Sequence, residues 1–130
     1  MRFHHVGMMV RSASIANELC RERLKDDAPL VWEPVPAFQC SCAFSTRFPM
    51  LEFIVPEAES RLAKFFGGKS VLHHFAFAVQ DVRRPSPFSP GDLIFEEPAP
   101  ALQGLLVNFL KPFGGLLVEV VQEPAKRERG

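Results

Sequence analysis

Two segments, FHHVGMMV at residues 3–10 and LHHFAFAV at residues 72–79, share a His-His pair and a closing valine. Between those fixed points, apolar and small residues replace one another. Each half then ends in an apolar run broken by one glutamate, MLEFIV at 50–55 and LLVEVV at 116–121. His5 and His74 lie 69 residues apart (74 − 5), and Glu52 and Glu119 lie 67 apart (119 − 52). Two independent landmarks with nearly one offset mark an internal duplication. A chain of 130 residues then holds one compact domain built from two copies of a small strand-rich module.

The first half reads as strand, helix, then three strands. FHHVGMMV is short, apolar and β-compatible. Ser12 or Ser14 is suited to cap a helix running to about Leu24, with Ile15, Leu19 and Leu24 near one face. Strands are expected at Leu30–Val35, Cys40–Thr46 and Met50–Val55, between turn-prone proline segments. Pro56 opens an expected short helix, EAESRLAKFF, which Gly67 and Gly68 end. That places module 1 at about 1–66 and module 2 at about 69–124. In the second half, Pro85, Pro87 and Pro90 fall where the module helix belongs and exclude a regular helix interior. Strands resume at Leu93–Glu96, Leu105–Leu110 and Leu116–Gln122.

Strand alternation decides what the histidines face. His4, Val6, Met8 and Val10 share one side of the first strand, and His5, Gly7 and Met9 share the other. In the second copy, His73, Phe75, Phe77 and Val79 lie opposite His74, Ala76 and Ala78. The bulky side packs against another layer, whereas small neighbours leave space beside His5 and His74. Glu52 and Glu119 sit in runs that are apolar on both faces, so each carboxylate is expected to be buried. A buried unpaired carboxylate is costly, and neither run contains Arg or Lys. A lone histidine in an apolar strand is more often a satisfied core residue. Recurrence of the His…Glu pair at matched positions points instead to one divalent metal held by His5, Glu52, His74 and Glu119. Two imidazoles and two carboxylates suit Zn, Co, Ni, Mn or Fe(II).

Composition narrows the remaining classes. Fifteen basic residues balance fifteen acidic ones, so no nucleic-acid surface is indicated, and the basic tail AKRERG reads as a solvated end. No segment reaches the roughly 18 apolar residues that span a membrane, and MRFHHVG lacks the apolar run of a signal peptide. Cys20, Cys40 and Cys42 are an odd, sparse set that fits a reducing cytoplasm and small core positions.

The runs HHVGMMV, LHHFAFAV with its following QDV, and GGLLVEVVQEP resemble the vicinal oxygen chelate superfamily, which includes glyoxalase I, methylmalonyl-CoA epimerase, extradiol dioxygenases and antibiotic-resistance proteins. The likeness runs from Phe3 to Pro124 and is strongest to the epimerase and glyoxalase I branch. It implies an α+β fold of two paired βαβββ modules, curled into an open U-shaped mixed sheet around a metal, here with the second-module helix lost or shortened. It implies ligands on the first and fourth strands of each module, which are His5, Glu52, His74 and Glu119. It further implies metal-assisted proton transfer on a small carbonyl or thioester substrate, with Glu119 as ligand and general base. Epimerases of this kind use a second carboxylate on the third strand of the first module. Here that strand reads CSCAFSTR and offers none, so a one-base isomerase or lyase stands beside a two-base epimerase.

Three other functions fit parts of the sequence. Thirteen phenylalanines suit an apolar pocket in a ligand- or drug-sequestering protein of the bleomycin-resistance type. Oxygenase chemistry favours two His and one carboxylate, against which Glu52 is a fourth ligand. The proline-rich loop suits a non-catalytic partner protein. The resemblance also implies a homodimer, with the four ligands in one chain or divided across a swapped pair.

Overall fold

The computed structural model describes residues 1–67 and 69–124. Gly68 and the basic tail at 125–130 lie outside the described residues. Within them are eight strands and two α-helices, and no helix is long and apolar enough to cross a membrane.

The chain divides into two compact units, one of His5–His74 and one of Met1–His4 with the chain from Phe75 on. The first holds most of β1 (Arg2–Met9), then α1 (Ala13–Glu22), β2 (Glu33–Val35), β3 (Cys40–Phe44), β4 (Leu51–Pro56) and α2 (Arg61–Phe66). Its strands are ordered β2-β3-β4-β1, with β1 parallel to β4 and the other pairs antiparallel. The second holds most of β5 (Val71–Val79), then β6 (Ala99–Pro100), β7 (Leu106–Phe109) and β8 (Val118–Gln122). Its order, β6-β7-β8-β5, with β5 parallel to β8, repeats that of the first. The duplicated motifs thus correspond to a duplicated strand order, in an α+β fold whose α-helices lie in the first unit.

In the first unit the bulky side of β1 meets the helix, as alternation predicts. Met8 and Val10 pack with Ala43, Phe53 and the α1 residues Ala16 and Cys20. The Ser12 hydroxyl caps α1 by accepting from Ile15 N at 3.2 Å. The helix ends at Glu22 rather than Leu24, because the chain turns away at Lys25, which has φ 55°. Strand β2 begins only at Glu33 and carries Pro34. A proline cannot donate to a ladder, and β2 is accordingly an edge strand. Pro56 closes β4 instead of opening a helix; Ser60 starts α2 by accepting from Ala63 N, and Gly67 ends it at φ 67°.

In the second unit the described residues between β5 and β6 form no α-helix. The proline-rich loop covers one face of this unit's strands: Val82 packs with Val79 and Val120, joined by Phe88, Leu93 and Leu106. The strand expected at Leu93–Glu96 is reduced to a single bridge, Leu93 with Leu110. The reason is Asn108, whose side chain accepts from Phe95 N at 3.2 Å and donates to Phe95 O at 2.9 Å. Those contacts replace the ladder bonds a strand would make, and the partner of β7 is the two-residue β6 instead.

Candidate metal centre

Cross-strand register places the site residues on one face. Gly7 of β1 pairs with Glu52 of β4, which pairs with Phe44 of β3. His5 lies two residues before Gly7 and so points the same way. In the next row, Met9, Ile54, Cys42 and Glu33 follow one another across β1, β4, β3 and β2. This is the side away from α1.

Three buried side chains converge there. Glu52 Oε1 lies 3.4 Å from His5 Nε2 and 3.4 Å from His74 Nε2, and the two Nε2 atoms are 3.0 Å apart. The His5 ring is set edge-on to Phe44 at 5.3 Å and to His74 at 5.1 Å. His74 in turn lies directly over Gly7. A Cβ added to Gly7 would clash with the imidazole, 2.7 Å from Nδ1 and 2.8 Å from Nε2. The small neighbour anticipated beside His5 is therefore required by the ring of His74.

Burial pushes the Glu52 carboxyl pKa up, but hydrogen bonds from His5 and His74 and their charge outweigh it, leaving a value of about 2. Burial pushes His73 down to about 4, helped by His74 and opposed by Glu52. Both folded-state values lie below the ordinary ones of 4.5 and 6.5. The unfolded chain therefore binds more protons across these windows, and acid favours unfolding. The thermal midpoint of metal-free protein is expected to fall from pH 6.5 towards 4 as His73 titrates. It falls again from 4.5 towards 2 as Glu52 does. A midpoint that stayed flat or rose between pH 6.5 and 4 would contradict the burial of His73.

The donors fit a divalent cation. Ligand atoms each about 2.0–2.1 Å from one ion lie about 2.9–3.4 Å apart at angles between about 90° and 109°. The spacings of 3.0, 3.4 and 3.4 Å fall in that range. Among the described residues, His5, Glu52 and His74 form the group with metal-ligand atoms within 4.8 Å of one another.

Glu119 belongs to the other unit. It is buried on β8, opposite Ala76 of β5 and Phe109 of β7. The pairing of Ala76 with Glu119 reproduces that of Gly7 with Glu52, each two residues after its histidine. Cys40 and Cys42 are buried with sulfurs 3.7 Å apart, as expected of neighbours on one strand face. Strand β3 offers no carboxylate. Glu33, half-buried on β2 beside Cys42, does, and on the face of Glu52. Sequence reading missed it, since only the register of three strands reveals its side.

Comparison with solved structures gives the same arrangement over almost the entire chain. A methylmalonyl-CoA epimerase matches with a TM-score of 0.76 at 23% identity, covering 96% of this chain and 97% of the other. The epimerase of Mycobacterium tuberculosis matches with 0.77 at 20% identity, covering 95% and 89%. A variant of the Streptomyces coelicolor epimerase in complex with 2-nitronate-propionyl-CoA matches with 0.76 at 20% identity, covering 96% and 99%. The fold is that of these epimerases. No protein-family model and no curated protein matches the sequence. In this fold His5 lies on β1, Glu52 on β4 and His74 on β5.

Proposed function

We propose that this chain is a metal-dependent isomerase or epimerase acting at the acidic α-carbon of a small carbonyl or thioester substrate. The observation that carries the reading is the convergence of three buried donors, two imidazoles and one carboxylate, at spacings a single cation spans. Glu119 is proposed as the fourth ligand, on the strength of its repeat register with Glu52. Modules of about 1–66 and 69–124 then make one domain, and a cytoplasmic homodimer is its proposed form. The epimerase fold favours an acyl-CoA thioester as substrate class.

A divalent ion held at this site, whether Zn, Co, Ni, Mn or Fe, supplies Lewis-acid polarisation of a carbonyl oxygen. The remaining chemistry falls to the chain. His5 and His74 would hold the ion through ring nitrogens, and the Phe44 ring packs edge-on to His5. The Glu119 carboxylate is the proposed base that takes the α-proton and returns it. Inversion needs a second proton carrier, and Glu33, on the metal-side face of β2, is proposed for it in place of the carboxylate that β3 lacks.

The test is incubation of metal-loaded protein with methylmalonyl-CoA and related α-acidic thioesters in D₂O. Deuterium is expected at the α-carbon, with Glu119→Gln slowing its uptake by about 10²–10⁴-fold. Glu33→Gln should slow inversion of configuration more than deuterium uptake, since one carboxylate alone can exchange the proton without inverting the centre. Failure of every candidate to take up deuterium would overturn the isomerase reading and favour a ligand-sequestering protein.

A further inference from the structure

Alternation along β5 assigns His73 to the side opposite His74, yet their rings meet. The two Nδ1 atoms are 2.8 Å apart, and the rings are nearly perpendicular at 87° with centroids 5.0 Å apart. His73 is half-buried and His74 fully buried. We propose that His73 is a positioning residue for the metal ligand, accepting a hydrogen bond from His74 Nδ1–H and so fixing the tautomer and ring plane of His74. This rests on the metal-centre reading above.

Proton counting supports the assignment. Two nitrogens 2.8 Å apart need one hydrogen between them, and a neutral imidazole carries only one. With the hydrogen on His73, the proton of His74 would sit on Nε2, aimed at His5 and Glu52, and its lone pair would be lost to a cation. With the hydrogen on His74 Nδ1, a cation that displaces the hydrogen bond between Nε2 and Glu52 finds the Nε2 lone pair where the donors converge. His73 then keeps its own proton on Nε2. Metal-binding histidines commonly donate their other N–H to an outer partner that sets ring orientation. Here that acceptor is a second imidazole contributed by the adjacent residue, with Gly7 leaving room for the ring on the other side.

The experiment compares wild type, His73→Ala and His73→Asn by Zn²⁺ and Co²⁺ competition against a chromophoric chelator. Imidazole ¹H–¹⁵N correlation spectra of the Zn-loaded proteins provide a second readout. In wild type, His74 should appear as the Nδ1–H tautomer ligated through Nε2, with His73 as the Nε2–H tautomer. His73→Ala should weaken metal binding about 10–100-fold, and His73→Asn should recover most of it, because the Asn carbonyl oxygen can stand where Nδ1 accepts. Equal affinity in wild type and His73→Ala would overturn the inference, as would ligation through His74 Nδ1. An Asn variant that is folded yet as weak as His73→Ala would also overturn it, by showing that ring packing rather than acceptance matters. A wild type that binds neither ion would instead remove the metal-centre reading itself.

Discussion

Gly7→Ala is expected to destabilise the fold and disable the metal centre together, although it adds one methyl group to a strand that would ordinarily accept alanine. The new Cβ would occupy the volume of the His74 ring. Either His74 must rotate out of its buried position or β1 must move away from it, and overpacking of this kind typically costs about 1–3 kcal/mol. Neither adjustment is neutral for the site. Rotation removes Nε2 from Glu52 and His5, while a shift of β1 carries His5 with it. Chemical denaturation should show a lower midpoint with an unchanged slope, and metal affinity measured on the same sample should fall with it. A Gly7→Ala protein with wild-type stability and affinity would show that the ring does not lie over β1.

Glu52→Ala should have the second large effect. Its carboxylate is buried and takes hydrogen bonds from two imidazoles. Removing one partner of a buried hydrogen-bonded charge arrangement costs about 3–5 kcal/mol. Loss of the one anionic donor in the three-residue group should also weaken metal binding by more than the about 10–100-fold typical of losing an outer partner. Glu52→Gln keeps the shape and separates the two contributions, recovering much of the metal-free stability while leaving metal affinity low. Equal affinity in wild type and Glu52→Gln would remove Glu52 from the ligand set.

Much of this site was legible in the sequence because duplication repeats an unusual choice. One buried histidine or one strand glutamate says little. The same pair at offsets of 69 and 67 residues marks positions rather than composition, and alternation then picks His5 and His74 from their neighbours. The prolines at 85, 87 and 90 likewise announced the missing helix, since ring geometry and the absent N–H forbid it whatever the tertiary context.

The features that escaped are those that depend on cross-strand partners or side-chain reach. Leu93–Glu96 has the apolar character of a strand, but the Asn108 amide takes the backbone groups of Phe95, and no local pattern foretells that. Glu33 acquires a side only through its pairing with Cys42. His73 was set opposite His74 by the direction of Cβ, whereas its contact is made by ring nitrogens farther out. Gly7 read as space beside a histidine, and the occupant of that space is the other histidine of the repeat.

Elemental analysis of purified protein beside His74→Ala is the sharpest test of whether His5, Glu52 and His74 hold a divalent metal. The predicted result is about one equivalent of Zn, Co, Ni, Mn or Fe per wild-type chain, native or after reconstitution, and its loss in a folded His74→Ala. A wild type that stays metal-free after incubation with Zn²⁺ and Co²⁺, or a His74→Ala variant that retains a full equivalent, would exclude this metal centre.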